Sequence, residues 1–148
     1  MTAFDDIAGK AAELIREATA ETRGMREGVM PSILSMSGIQ ADLVECYYRI
    51  GELLSESFTD KERANIERKV SAARAHLKGR NDFQMTQEDA RQHATESVKE
   101  LYGAELEKVS LYEHAKILRD SISQAINHLT QTISTVKYLE GHPTPSHT

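Results

Sequence analysis

The sequence predicts an all-α protein: a long antiparallel helical hairpin, coiled-coil-like, with an additional N-terminal helix, assembled as an oligomer. Three observations lead there. From about Thr86 to Leu139, Ala90, Ala94, Leu101, Ala104, Leu111, Ala115, Leu118, Ile122, Ala125, Leu129 and Val136 fall on one seam, interrupted only by Ser97, Lys108 and Thr132. Their alternating spacings of three and four average ~3.5 residues, the period of helices that wind around a partner. No stretch longer than a few residues shows the alternating, β-branched pattern of a strand. The three prolines also stand clear of helix interiors, Pro31 opening a segment and Pro143 and Pro145 lying near the end. A continuous helix over the seam would be roughly 80 Å long, against ~16 Å for a typical globular helix. Such a helix cannot bury its stripe inside a compact monomer of 148 residues. It needs a hairpin partner, further subunits, or both.

The first helix is expected from about Phe4 to Thr22. Phe4, Ile7, Ala8, Ala11, Leu14, Ile15 and Ala18 make one face, and Asp5, Asp6 and Glu13 come early, where the helix dipole favours acids. Gly24 and Gly28 bracket a break that ends at Pro31, a good first-turn residue. A second helix runs to about Ser57 on Ile33, Leu34, Met36, Ile39, Leu43, Tyr47, Ile50, Leu54 and Phe58, weakened by Gly38 and Gly51. Thr59-Asp60-Lys61-Glu62 has the form of a capping box and predicts a new helix start. That third helix continues to about Lys78, with Ile66, Val70, Ala73 and Leu77 as its inner face and Gly79 as its C-cap. Thr86 with Asp89 then restarts the chain as the long helix, whose weak point is Gly103. This divides the chain into an N-terminal helix and linker (1–30), a hairpin or bundle body (31–139) and a disordered tail (140–148).

Composition narrows the function classes. A net charge of −5 exerts no overall pull toward nucleic acid or anionic membrane. The single Cys46 cannot form an internal disulfide, which fits a reduced, intracellular setting. Met1 to Asp6 lack the basic start and apolar block of a signal peptide, and the uncharged Gly28–Ala41 run is too short to span a bilayer. A soluble, cytoplasmic protein without membrane contact is expected.

Catalytic signatures are sparse. A di-metal carboxylate bundle needs Glu-x-x-His, but Ala73, Ala90, Leu111, Ala125, Leu139 and Thr144 stand three residues before the six histidines. Asp89, His93 and Glu96 could share a metal, or form a solvated acidic surface. Cys46 has no histidine close by in the chain, and the glycines make no phosphate-binding pattern. The expectation is a non-enzymatic protein with no metal and no cofactor.

Three other features point to surfaces. From Arg68 to Asn81 the chain carries Arg68, Lys69, Arg74, Lys78 and Arg80 and no acid, whereas Asp82 to Glu107 holds seven acids against Arg91 and Lys99. These segments are either hairpin arms that attract each other or, for the basic one, a contact for a nucleic-acid backbone. From Ser121 to Val136, sixteen residues contain no charge at all. An exposed helix normally carries ion pairs on its outer face, so this half is expected to meet other copies through Ile122, Ile126, Leu129, Ile133 and Val136. The Met30 and Met36 segment fits either a partner surface or ordinary core.

From Thr59 onward, the basic helix with Arg74, Leu77 and Lys78, the Gly79-Arg80 turn, and a long helix closing at Tyr138-Leu139-Glu140-Gly141 resemble the UvsY family of phage recombination mediators. The likeness covers a little over half the chain, and the N-terminal fifty-odd residues have no counterpart in it. It implies a small, ring-forming helical protein that helps a recombinase load on single-stranded DNA. On that reading Arg68, Lys69, Arg74, Lys78 and Arg80 bind the DNA backbone, and the setting is a phage-infected host cytoplasm or a virion. The competing reading is a phage virion or assembly component, structural or adaptor, with a protein partner and no DNA contact.

Overall fold

A computed structural model describes residues 2–141. They form α1 (Ala3–Arg26), α2 (Ile33–Asn81), α3 (Gln87–Ser97) and α4 (Lys99–Gly141). Among the described residues there is no strand. The tail expected from residue 140 lies outside the described residues, apart from Glu140 and Gly141, which close α4.

α1 begins on a reciprocal cap. The Thr2 hydroxyl accepts the Asp5 N–H at 3.1 Å, and the Asp5 carboxylate accepts the Thr2 N–H at 3.2 Å. Ile7, Ala11, Leu14 and Ala18 are its buried face, as their spacing predicts. At the far end the Val29 N–H donates to the Gly24 carbonyl at 2.8 Å and the Gly28 N–H to the Met25 carbonyl at 3.2 Å. This pair of bonds is the Schellman closure, and it requires Gly28 at φ 83°, where a side chain is strained. Pro31 is buried just before α2, and the cap is Ser32, whose hydroxyl accepts the Ser35 N–H at 3.2 Å.

α2 departs from expectation twice. It is one helix of 49 residues, with no restart at Thr59. The Thr59 hydroxyl donates to the Ser55 carbonyl at 3.2 Å, the bond of a threonine inside a helix. An N-cap needs extended backbone, but Phe58 and Lys61 on either side engage the Tyr112 ring (5.7 Å between rings; Nζ 4.3 Å from the centroid) from consecutive helical turns. The second departure follows from the first. Once Leu54 and Ser57 point inward, helical periodicity carries Ala64, Arg68, Ala72, Ala75 and Gly79 to the inner face. Ile66, Val70, Ala73 and Leu77, expected inside, face solvent.

The long seam helix is likewise interrupted, at Val98 and not at Gly103. Val98 sits at φ −108°, ψ 10° between α3 and α4, while Gly103 lies inside α4. Just before the break, the Thr95 and Ser97 hydroxyls donate back to the Arg91 and His93 carbonyls at 3.0 and 2.8 Å, a competition that bends helices. Past the break Leu101 and Leu111 keep their seam positions, half-buried, while others give way to the next residue. Val98, Glu105 and half-buried Val109 take the inward places expected of the neighbouring seam positions, and Ala104 is exposed. The original seam resumes at Ala115 and continues through Ile122, Leu129 and Val136.

The chain forms two compact units. Unit 1 combines α1, α2 as far as Leu53, and α4 from Ala115. Its core is Ile7, Ala11, Leu14, Ala18, Met36, Ile39, Leu43, Cys46, Ile50, Ala115, Ile122, Leu129, Ile133 and Val136. Polar clamps lie at its edge: Ser35 Oγ donates to Glu21 Oε1 at 2.8 Å, and Gln40 Nε2 to Thr130 Oγ1 at 2.6 Å. Unit 2 is Leu54–His114 and is built from smaller residues. Ala90, Ala94 and Val98 are buried there, and a Cβ placed on Gly79 would stand 3.4 Å from Ala90 Cβ.

Candidate functional site

The basic segment of α2 divides into an inward and an outward part. Arg68, at an inward position, donates its Nε–H to Glu105, which also accepts from Asn65 Nδ2 at 2.8 Å. Glu105 is nearly buried, and its carboxyl is held below the ordinary value of 4.5, first by the Arg68 hydrogen bond and then by the Asn65 one. Because the folded value is the lower of the two, this carboxylate stabilises the fold above its unfolded pKa. That contribution is lost as pH falls through the folded pKa. Glu105→Gln is therefore expected to lower the unfolding midpoint at pH 7, and the gap from the parent chain should close under acid. A constant gap in thermal scans from pH 7 to about 3 would contradict this.

Lys69, Arg74, Lys78 and Arg80 are exposed. Arg80 donates to the Met85 carbonyl at 3.1 Å and so closes the turn between α2 and α3. Lys78 Nζ lies 5.8 Å from the centroid of Phe83, a ring 54% exposed. The Arg68 guanidinium lies 5.5 Å from Tyr102, half exposed. The structure thus sets aromatic rings beside the basic segment. Phe83 follows Arg80 by three residues, and its N–H and that of Asp82 donate to the Lys78 carbonyl at 3.3 and 2.8 Å, which holds it against the end of α2; its ring meets His93 at 5.8 Å between centroids.

The apolar face of α2 expected to point inward in unit 2 points outward. Ile66 (60% exposed), Val70 (43%), Ala73 and Leu77 (59%) run along it at spacings of four, three and four. The spacing was legible, but the side it faces was not.

Four residues expected to meet other copies, Ile122, Leu129, Ile133 and Val136, lie in the core of unit 1, and Ile126 is half-buried. The uncharged stretch presents Gln124, Asn127, Gln131 and Ser134 outward. Part of its hydroxyl chemistry turns back on the helix: Thr130, Thr132 and Thr135 donate to the carbonyls four residues earlier at 2.9–3.0 Å.

Other chemistry is muted. Cys46 is buried, and that burial pushes its thiol above the ordinary value. Among the described residues no three His, Cys, Asp or Glu side chains gather to hold a metal, Asp89, His93 and Glu96 included. No described helix is long and apolar enough to cross a membrane. No family model, curated protein or solved structure matches this chain.

Proposed function

We propose that this chain is a non-enzymatic helical accessory protein that works by self-assembly, with α2 and α4 pairing as an antiparallel, coiled-coil-like hairpin. Within unit 2 the contacts of α2 with α4 run in opposite order, Phe58 to Tyr112 and Arg68 to Glu105, which supports the pairing. The observation that carries the assembly reading is the uncovered apolar stripe on α2. A heptad-spaced face with Ile66 and Leu77 more than half exposed costs solubility unless something covers it. A structural or adaptor role, in host cytoplasm or virion, needs no more than this. Light scattering on the full chain tests it. An oligomer supports the reading, and a monomer at every concentration overturns it.

A second reading is favoured by Lys78 against Phe83. Exposed Lys69, Arg74, Lys78 and Arg80 can follow a phosphate backbone while Phe83 offers a stacking face, as a mediator-like binder of single-stranded DNA requires. Arg68 contributes less, being committed to Glu105. Anisotropy of a labelled single-stranded oligonucleotide should rise on adding the protein and collapse with salt. Lys78→Glu with Phe83→Ala should weaken binding by about tenfold or more. No binding at low salt removes this reading and leaves the assembly reading untouched.

A further inference from the structure

We infer that the outer face of α2 in unit 2 is a homodimer seam, occupied by the same face of a second copy in antiparallel orientation. The inference rests on the assembly reading and specifies its interface. In heptad terms Ile66 and Ala73 are d positions, Val70 and Leu77 a positions, Glu67 and Arg74 e positions, and Lys69 and His76 g positions. All but the half-buried His76 are exposed in one chain.

The flanking charges choose both partner and direction. In a parallel pair, g faces e of the other helix, so Lys69 would meet Arg74 on both sides. Two like-charge contacts beside a short seam oppose that arrangement. In an antiparallel pair, e faces e and g faces g. With Val70 packed on Ala73 of the second copy, and Ile66 on its Leu77, Glu67 lies opposite Arg74, and two-fold symmetry repeats the ion pair. On the other flank Lys69 lies opposite His76. The alternation of one acid and one base at e is thus self-complementary only when the helix meets its own copy reversed. An acidic helix from another protein would satisfy Lys69 and Arg74 but would repel Glu67.

The seam from Ile66 to Leu77 is about 17 Å long, which places the dimer among weak, concentration-dependent interfaces. Its side chains stand in water in the single chain, so substitutions here leave the monomer fold intact. Thermal unfolding provides that control.

The test is sedimentation velocity of the full chain from about 5 to about 500 µM, on the parent, Val70→Glu, Glu67→Arg, Arg74→Glu, and the double variant Glu67→Arg/Arg74→Glu. The parent should shift from monomer to dimer with concentration. Val70→Glu should abolish the shift, since the seam would bury a carboxylate. Each single charge variant should weaken the dimer by about tenfold, and the double variant should restore it to within about twofold. An oligomer that Val70→Glu leaves intact overturns this seam but keeps self-assembly. A double variant no better than the singles overturns the antiparallel second copy. A monomer at all concentrations overturns both this inference and the assembly reading.

Discussion

Leu129→Ala is expected to lower the unfolding free energy of the chain by about 2–5 kcal/mol, with Ile122→Ala close behind. Both side chains are fully buried in unit 1, among α1, α2 and α4. Removing either leaves a cavity that the close-packed core of unit 1 fills only in part. Ile133→Glu should go further, setting a carboxylate where the native side chain is 8% exposed. Chemical denaturation followed by circular dichroism measures all three. The alternative is equally concrete. If these substitutions leave the midpoint unchanged and instead lower the sedimentation coefficient, the residues hold copies together and the bundle accommodates their loss.

That experiment bears on what a seam can reveal. The period in Ala115, Ile122, Leu129 and Val136 identifies an inward face, and these residues are buried. It cannot identify the partner, because a heptad reads the same against its own chain and against another. Ile66, Val70, Ala73 and Leu77 are the complementary case. Their pattern is as good as that of the core, yet they face water, since the inner face of α2 is set upstream by Leu54 and Ser57. Small residues carry that inner face where a large-residue pattern was the expected marker. α1 was more legible because its apolar stripe, acidic first turn and stop at Gly28 all agree, although it runs past the expected end at Thr22, through Gly24, to Arg26.

Local signals failed where tertiary contacts outweighed them. Thr59-x-x-Glu62 matches a capping box, but the ring of Tyr112 against Phe58 and Lys61 keeps the helix running through it. The Val98 break was hidden because Ser97 and Val98 are ordinary helix residues, and only the hydroxyl bonds of Thr95 and Ser97 betray the bend. The basic segment was visible in composition. That Arg68 turns inward to Glu105, thirty-seven residues later in the chain, was not. Neither was the return of Phe83 to Lys78, which depends on the Asp82 and Phe83 N–H groups closing on the Lys78 carbonyl.

Gly79→Val is expected to destabilise the chain by about 1–3 kcal/mol, whereas alanine at Gly38 or Gly51 should stabilise it by up to about 1 kcal/mol. All three glycines are helical, so propensity alone predicts the same sign for Gly→Ala at each. Their surroundings differ. A Cβ on Gly38 or Gly51 meets nothing within 4 Å. At Gly79 it would stand 3.2 Å from Met85 Sδ and 3.4 Å from Ala90 Cβ, a residue of α3. The two further methyls of valine add bulk to a position where the Cβ alone is already tight. The neighbouring backbone is also tied: the Met85 N–H donates to the Gly79 carbonyl at 3.0 Å, and the Met85 carbonyl accepts from Arg80. Only the thioether can yield. Met85→Ala in the Gly79→Val background should therefore recover part of the loss, measured as the unfolding midpoint of single and double variants. If Gly79→Val stabilises the chain, or Met85→Ala gives no relief, the close approach of α3 to α2 is not what constrains this position.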